Sequence, residues 1–338
     1  LRDKTIQDHY SPGSTFKTIT AIAALEEGVI DKDTSFFCSG SINLGARKVH
    51  CWKKEGHGNV NVVSALTHSC DVFFYRVAQK LKSVDDIAKY AMHLGMGKRT
   101  GIELGREVPG LMPTEAWKKQ RFNVAWSPGE TLYVAIGQSF VLTTTAQLAN
   151  AYASIVNGGT LFRPHVVKSI QSDDGKIIKE VLPQVLDKTN LKKETVDLVT
   201  QGLWGVVNSQ GGTAYWLHQP GMEWAGKTGT VQMVTQKADK MYGKSACTSL
   251  RYSQRHNGLF VAYAPVKDPT IVVAIVSEHD CGGGSHGAAP IGTEVIKTYL
   301  RKYYPDLYSD KAIAERKELE LANKANAKPA KKAASEDE

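Results

Sequence analysis

The chain has 338 residues, 42% of them hydrophobic, which is enough to bury a large core as one two-lobed domain or as two domains. Its net charge of +8 is spread along the chain without an aromatic-interleaved basic cluster, which argues against nucleic-acid binding. No run reaches the roughly 18 apolar residues that span a bilayer, and no signal peptide is visible.

In chain order, Ser14-Thr15-Phe16-Lys17 follows Pro12-Gly13. A serine and a lysine three residues apart share one face of a helix. From Thr18 to Leu25 there is no charge, which predicts a helix buried nearly all round, with Gly28 as its C-terminal stop. A lysine at the start of such a helix is costly unless it has work. The natural work is to take the proton of the serine hydroxyl. Residues 31–61 are rich in Gly, Cys, His and Trp and read as irregular loop, and 62–94 as helical. Residues 95–113 form a Gly-rich connector. Residues 143–156 read as a helix stopped by Asn157-Gly158-Gly159.

Residues 161–180 read as a β-hairpin turning at Asp173-Asp174-Gly175, and 191–207 as an amphipathic helix. Strands are predicted at 224–233, 258–264 and 270–277, the last two joined by a short turn. Residues 290–304 read as a closing helix. From Leu307 onward the chain is rich in Lys, Glu and Ala and reads as solvated helix or disorder.

Two further motifs accompany Ser14 and Lys17. Ser69-Cys70-Asp71 precedes the apolar run Val72-Phe73-Phe74-Tyr75, and Lys227-Thr228-Gly229-Thr230 lies in the predicted strand at 224–233. SxxK, then SxD, then KTG, in that order, resembles the motif set of penicillin-interacting serine enzymes. More closely, the chain resembles the transpeptidase domain of a class B penicillin-binding protein. Phe162-Arg163-Pro164-His165 after Asn157-Gly158-Gly159, and Ile136-Gly137-Gln138 ahead of Thr143-Thr144-Thr145-Ala146-Gln147, are similar to stretches of that family. Ser139 stands where the family often has Gly. Trp52-Lys53-Lys54-Glu55-Gly56-His57-Gly58 and the aspartate of Ser69-Cys70-Asp71 resemble the elongation-specific subfamily, penicillin-binding protein 2. The resemblance runs over about residues 1–304.

It implies an α+β, β-lactamase/transpeptidase-like fold: an antiparallel sheet flanked by helices, plus an all-helical lobe, with the active site between them. The domain would cover 1–306, with 307–338 as a tail. The family's first two strands precede the nucleophile and are expected upstream of this chain, as is an N-terminal anchor on the periplasmic face of a bacterial inner membrane. Ser14 would attack the penultimate carbonyl of a peptidoglycan stem peptide ending in D-Ala-D-Ala, and an amine of a neighbouring stem would take the acyl group. β-Lactams would acylate the same serine.

Lys17 would be the base, its pKa depressed by burial and by Lys227 as a nearby cation. Ser69 would relay a proton, and Asp71 would orient Ser69 and Lys17, cap its helix, or do both. Gly229 would let a peptide lie against its strand. Thr228 and Thr230 would hold the substrate carboxylate, and the backbone N–H groups of Ser14 and Thr230 would form an oxyanion hole. Expected partners are a membrane-embedded glycan polymerase and other elongation-complex proteins, in a role in cell-wall elongation and cell shape. A DD-carboxypeptidase, a serine β-lactamase of the same fold, and a penicillin-binding sensor or scaffold are the alternatives.

The five cysteines include Cys38, Cys51 and Cys70, which with His57 follow the spacing Cys-x12-Cys-x5-His-x12-Cys. Three thiolates and an imidazole suit a closed structural zinc site. A Cys38–Cys51 disulfide and free thiols are the alternatives. The resemblance adds that related elongation-type sequences often carry Asp, another zinc ligand, at the Cys38 and Cys51 positions. Cys247 and Cys281 either form a disulfide near the sheet end or stay free, the pair being slightly favoured.

Overall fold

The protein is described by a computed structural model over residues 2–45, 47–231 and 246–326. A short helix α1 (Lys4–Gln7) and a 3₁₀ turn (Gly13–Phe16) lead into α2 (Lys17–Glu26). Every residue of α2 from Lys17 to Leu25 is buried, as a stretch without charge demands. Gly28, at φ +68°, turns the chain out of the helix. Ser14 and Lys17 do not share one α-helix as expected, because the serine lies in the tighter turn that feeds it.

Around α2 stand α3 (Val62–Thr67), α4 (Asp71–Lys80) and α5 (Val84–His93). The connector after α5 leads to α6 (Glu115–Phe122) and α7 (Pro128–Ala135), and α7 packs on α4. Helix α8 (Thr145–Val156) reaches the same core: its Tyr152 hydroxyl lies 2.8 Å from Thr18 Oγ1 and donates to the Thr15 carbonyl at 2.8 Å. A buried hydrogen bond of this kind fixes the nucleophile turn against the helix behind it.

Residues 31–61 are irregular only in part, chiefly over 31–34 and 51–57. They form β1 (Ser35–Cys38) paired with β4 (Gly58–Asn61), and between them β2 (Ser41–Leu44) paired with β3 (Arg47–His50). These strands are only four residues long, each with one or a few apolar residues, too short for hydrophobic alternation to announce them. Cys38, Ile42, Val49 and Val60 anchor them in the main core, and close backbone approach adds to this. A Cβ on Gly40 would lie 2.0 Å from the Lys54 carbonyl oxygen, and one on Gly56 would lie 2.1 Å from that of Cys38.

The hairpin expected at 161–180 is also rearranged. β6 (Ser169–Gln171) and β7 (Ile177–Glu180) form it, while β5 (Thr160–Phe162) pairs with β8 (Val185–Lys188) beyond it.

Helix α9 (Lys193–Asn208) leads to the main antiparallel sheet of β9 (Ala225–Val231), β10 (Asn257–Ala264) and β11 (Ile271–Ser277), in the order β11-β10-β9. Gln232 and Met233, predicted to extend β9, lie outside the described residues. All eight residues of β10 are buried because the sheet has an apolar layer on each face. Leu259, Val261 and Tyr263 join the core around α2. Phe260, Ala262 and Ala264 meet Ile296 and Leu300 of the closing helix α11 (Ala289–Tyr303).

Between the strands, α10 (Ala246–Ser249) carries Cys247, disulfide-bonded to Cys281 with Cα atoms 5.6 Å apart, which decides between the two alternatives the sequence left open. After α12 (Pro305–Tyr308) the chain ends its described part in α13 (Asp310–Asn326), with Tyr308 and Ile313 packed on the second core. The architecture is the predicted α+β arrangement. No described helix is long and apolar enough to cross a membrane.

Helices α3 and α9 meet through glycine: a Cβ on Gly202 would stand 2.7 Å from Leu66 Cβ. Gly202→Ala is expected to lower the unfolding free energy by about 1–2 kcal/mol, overpacking outweighing the roughly 1 kcal/mol alanine gains in helix propensity. A denaturant midpoint at or above that of the wild type would contradict this packing.

Candidate active site

A cleft of about 920 Å³ opens between the sheet and the helical side, and Ser14 lines it, half-buried. The turn carrying Ser14 is tightly held. Gly13, at φ +52°, donates its N–H to the Gly137 carbonyl at 2.9 Å, and Thr15 Oγ1 donates to the Pro12 carbonyl at 2.7 Å. A Cβ on Gly137 would come within 2.2 Å of the Gly13 carbonyl oxygen, so the Ile136-Gly137-Gln138 stretch is a seat for the nucleophile turn.

Lys17 follows one turn later and is wholly buried. Its Nζ donates to Asp71 Oδ1 at 2.5 Å, to the Ser69 carbonyl at 2.8 Å and to Ser69 Oγ at 3.2 Å. The Ser69 carbonyl faces inward because Ser69 adopts a left-handed conformation, φ +55°, between α3 and α4. The second oxygen of Asp71 accepts the Trp52 backbone N–H at 2.9 Å. Burial pushes the Asp71 carboxyl above its usual value, against the pull of the Lys17 charge. Asp71 does not cap its helix: Cys70 occupies the cap position and Asp71 is the first residue of α4.

Lys227 is equally buried, its Nζ donating to the Thr228 carbonyl at 3.2 Å. Its amine is pushed well below the usual lysine value, first by burial and then by the charge of Lys17. The sequence reading has Lys227 as the cation acting on Lys17; in the structure the charge of Lys17 acts on Lys227. Asp71 pairs with Lys17, as its place in the Ser69-Cys70-Asp71 motif led us to expect, and leaves Lys227 without a carboxylate in contact among the described residues.

Strand β9 alternates across the site. Lys227 and Gly229 lie on the face of the α2 core, opposite Val261 and Leu259. A Cβ on Gly229 would meet the Pro12 carbonyl oxygen and Thr15 Cγ2, each at 3.1 Å. The missing side chain therefore makes room for the turn that carries Ser14, while Gly229 itself lines the cleft on the edge strand where a peptide was expected to lie.

Thr228 and Thr230 project the other way into the cleft. Thr228 Oγ1 lies 2.6 Å from Thr213 Oγ1, and Thr230 Oγ1 accepts the Gly284 N–H at 3.1 Å. Thr213 and Ser285 complete this wall, the Ser285 hydroxyl donating to the Thr213 carbonyl at 2.7 Å. Sequence reasoning missed both. Thr213 stands in a turn without a motif. Ser285 had an available signal, the run Gly282-Gly283-Gly284, since a Cβ on Gly284 would lie 2.3 Å from the Gly229 carbonyl oxygen.

Behind the helical wall, the donor atoms of Cys38, Cys51, His57 and Cys70 all lie within 4.8 Å of one another. His57 Nδ1 is 3.6 Å from each of the Cys38 and Cys51 sulfurs. A tetrahedral ion with sulfur ligands at about 2.3 Å separates them by about 3.8 Å, so the donor set fits one metal ion. A hydrogen bond from Cys70 pulls the Cys51 thiol down toward the thiolate that a metal requires, and the same bond pushes Cys70 up. No Cys38–Cys51 disulfide forms.

Residues 1–297 match the family described as the penicillin binding protein transpeptidase domain. The chain belongs to that family. Among curated relatives of this penicillin-binding transpeptidase domain, it is 32% identical over 312 residues to the peptidoglycan D,D-transpeptidase MrdA of Haemophilus influenzae, covering 91% of this chain and 47% of that protein. It is 34% identical over 291 residues to MrdA of Escherichia coli K12, covering 85% and 45%. The chain thus spans about half the length of the curated relatives it matches. Among solved structures, PBP2 of Pseudomonas aeruginosa in complex with WCK 5153 superposes with a TM-score of 0.77 at 31% identity, over 92% of this chain and 66% of that one. PBP2 of Helicobacter pylori in complex with MreC gives 0.73 at 28% identity, over 90% and 52%.

The Lys227 shift has a measurable sign. An unfolded lysine takes up a proton below about pH 10.5, and the folded one, its value lowered, does not until a lower pH. Unfolding free energy should therefore fall as pH drops below about 10.5, with a slope of up to about 1.4 kcal/mol per pH unit from this group. Denaturation at pH 8 to 10 should show this slope in the wild type and its loss in Lys227→Met; equal slopes would contradict it.

Proposed function

We propose that this chain carries out D,D-transpeptidation of peptidoglycan stem peptides in cell-wall elongation. The observation that carries the proposal is the convergence of Ser14, the Lys17–Ser69–Asp71 cluster and the hydroxyls of Thr228 and Thr230 on one cleft. Proton transfer across the short Lys17–Asp71 contact frees the Lys17 amine to take the Ser14 proton. The Ser14 oxygen then attacks the penultimate carbonyl of the donor stem, with the terminal carboxylate against Thr228 and Thr230. The backbone N–H groups of Ser14 and Thr230 hold the oxyanion, each such donor being worth about 3 kcal/mol.

As the carbon–nitrogen bond breaks, Ser69 passes its proton to the departing D-alanine nitrogen and takes from Lys17 the proton that Ser14 gave up. An amine of a second stem attacks the ester in turn. A carbon–nitrogen bond forms, the bond to Ser14 breaks, and the amine's proton returns to the serine oxygen. A β-lactam acylates Ser14 by the same first step.

Cys38, Cys51, His57 and Cys70 are proposed to hold one structural zinc ion. Such an ion supplies no reaction step; its ligands fix the ends of the β2–β3 hairpin and the start of α4, next to Ser69 and Asp71. The relatives support a setting as well. One solved relative is a complex with MreC, and another, at 32% identity and a TM-score of 0.73, is part of a peptidoglycan synthase complex. By that likeness the protein works beside a membrane-embedded glycan polymerase and other elongation-complex proteins, on the extracytoplasmic face of the inner membrane.

Intact mass before and after penicillin tests the chemistry. The wild type should gain one stable penicilloyl group and Ser14→Ala none. Rapid penicillin hydrolysis without an adduct would point to a β-lactamase instead. Native mass of metal-replete protein should show one zinc that denaturation releases and that Cys51→Ser fails to bind; a metal-free native mass would leave the cluster as thiols.

A further inference from the structure

The cleft has two unlike walls. On the sheet side stand the hydroxyls of Thr213, Thr228, Thr230 and Ser285. On the helical side, the β2–β3 hairpin brings Lys48 and His50, followed by Trp52. Strand alternation explains their direction. Val49 is buried against the core, so Lys48 and His50 both point away from it.

The hairpin is anchored at several points. Cys38 and Cys51 flank it, the Cys51 N–H bonds the Gly40 carbonyl at 2.9 Å, and the Tyr75 hydroxyl reaches the His50 carbonyl at 3.4 Å. Leu44 rests over Gly129 at the start of α7. The basic side chains are therefore carried on a fixed wall.

The charge balance of the lining is one-sided. Its sole carboxylate among the described residues is Asp71, which is committed to Lys17. Lys48 is exposed and has no ion-pair partner among the described residues. A cleft wall with an unpaired cation and no free acid favours an anionic ligand.

We propose that Lys48, with His50 beside it, is the recognition point for a carboxylate of the acceptor stem peptide, the one that supplies the attacking amine. This rests on the transpeptidase reading above. In that reading the donor's terminal carboxylate belongs to the sheet wall and leaves with D-alanine, while the donor acyl group stays on Ser14. The second peptide must then approach from the side the donor does not occupy, and the hairpin forms that side. A stem peptide carries carboxylates of its own, and Lys48 can pair with one while the amine reaches the ester. A cation near the incoming amine also disfavours its protonated form, which cannot attack.

The test uses the full-length protein with a small acyl-D-alanyl thioester as donor. The acceptors are a D-amino acid and its carboxamide, and transfer product is measured against hydrolysis product for each. Penicillin acylation is followed alongside. In Lys48→Ala, transfer to the carboxylate acceptor relative to the carboxamide should fall about fivefold, and in Lys48→Glu more than about tenfold, the scale of one partly exposed charge pair and its reversal. Lys48→Arg should restore most of the ratio. An unchanged ratio in both Lys48→Ala and Lys48→Glu, in protein that penicillin still acylates, overturns the acceptor site alone. A wild-type protein that penicillin does not acylate overturns the transpeptidase reading and this site with it.

Discussion

A buried ion pair between Lys17 and Asp71 is the interaction on which the rest of this structure depends. Removing two charges from water costs several kcal/mol each, and only close contact with further hydrogen bonds offsets it. Here the Ser69 carbonyl and hydroxyl complete the ammonium's partners, and the Trp52 N–H satisfies the second carboxylate oxygen. Because the charge of Lys17 is matched, α2 can be buried all round and still begin one turn after the nucleophile. Because Asp71 opens α4, the same contact ties α2 to α4. Trp52 extends the tie to the loop that carries the cysteine–histidine cluster. The pair thus joins nucleophile, relay serine and metal loop into one rigid unit.

The sheet wall is held by different means. There, glycine lets backbone approach backbone: Gly229 admits the Ser14 turn, Gly284 lies against Gly229, and Gly137 seats Gly13. Hydroxyl contacts from Thr213 and Ser285 then fix the side-chain layer that faces the cleft. One wall is set by charge and the other by close packing, so substitutions on the two sides should fail differently. On the helical side a lost partner leaves an uncompensated charge. On the sheet side an added methyl group displaces the nucleophile turn.

Much of this was legible in the sequence. The uncharged run after Lys17 announces a buried helix, and the two strands β10 and β11 announce themselves as long apolar runs around a short turn. The spacing of Cys38, Cys51, His57 and Cys70 left a metal site, a disulfide and free thiols open, and the four donor atoms do converge. Other features were hidden for identifiable reasons. The strands between 35 and 61 are only four residues each, too short to leave a periodic trace, although Cys38, Ile42, Val49 and Val60 carry them into the core. Gly229 could be recognised as necessary, but which neighbour it admits depends on how β9 faces the Ser14 turn. The Ser69-Cys70-Asp71 motif pointed Asp71 at Lys17, but that burial pushes Lys227 well below the usual lysine value is a tertiary fact that no motif encodes.

The most direct test of the central pair is a double-mutant cycle on unfolding free energy with Lys17→Met, Asp71→Ala and the two combined. Each single change leaves a buried polar or charged partner uncompensated and should cost about 3–5 kcal/mol. The double variant should cost at least about 2 kcal/mol less than the sum, which is the coupling expected of groups in contact. Strict additivity would mean that Lys17 and Asp71 are stabilised independently, and the rigid unit described here would lose its foundation.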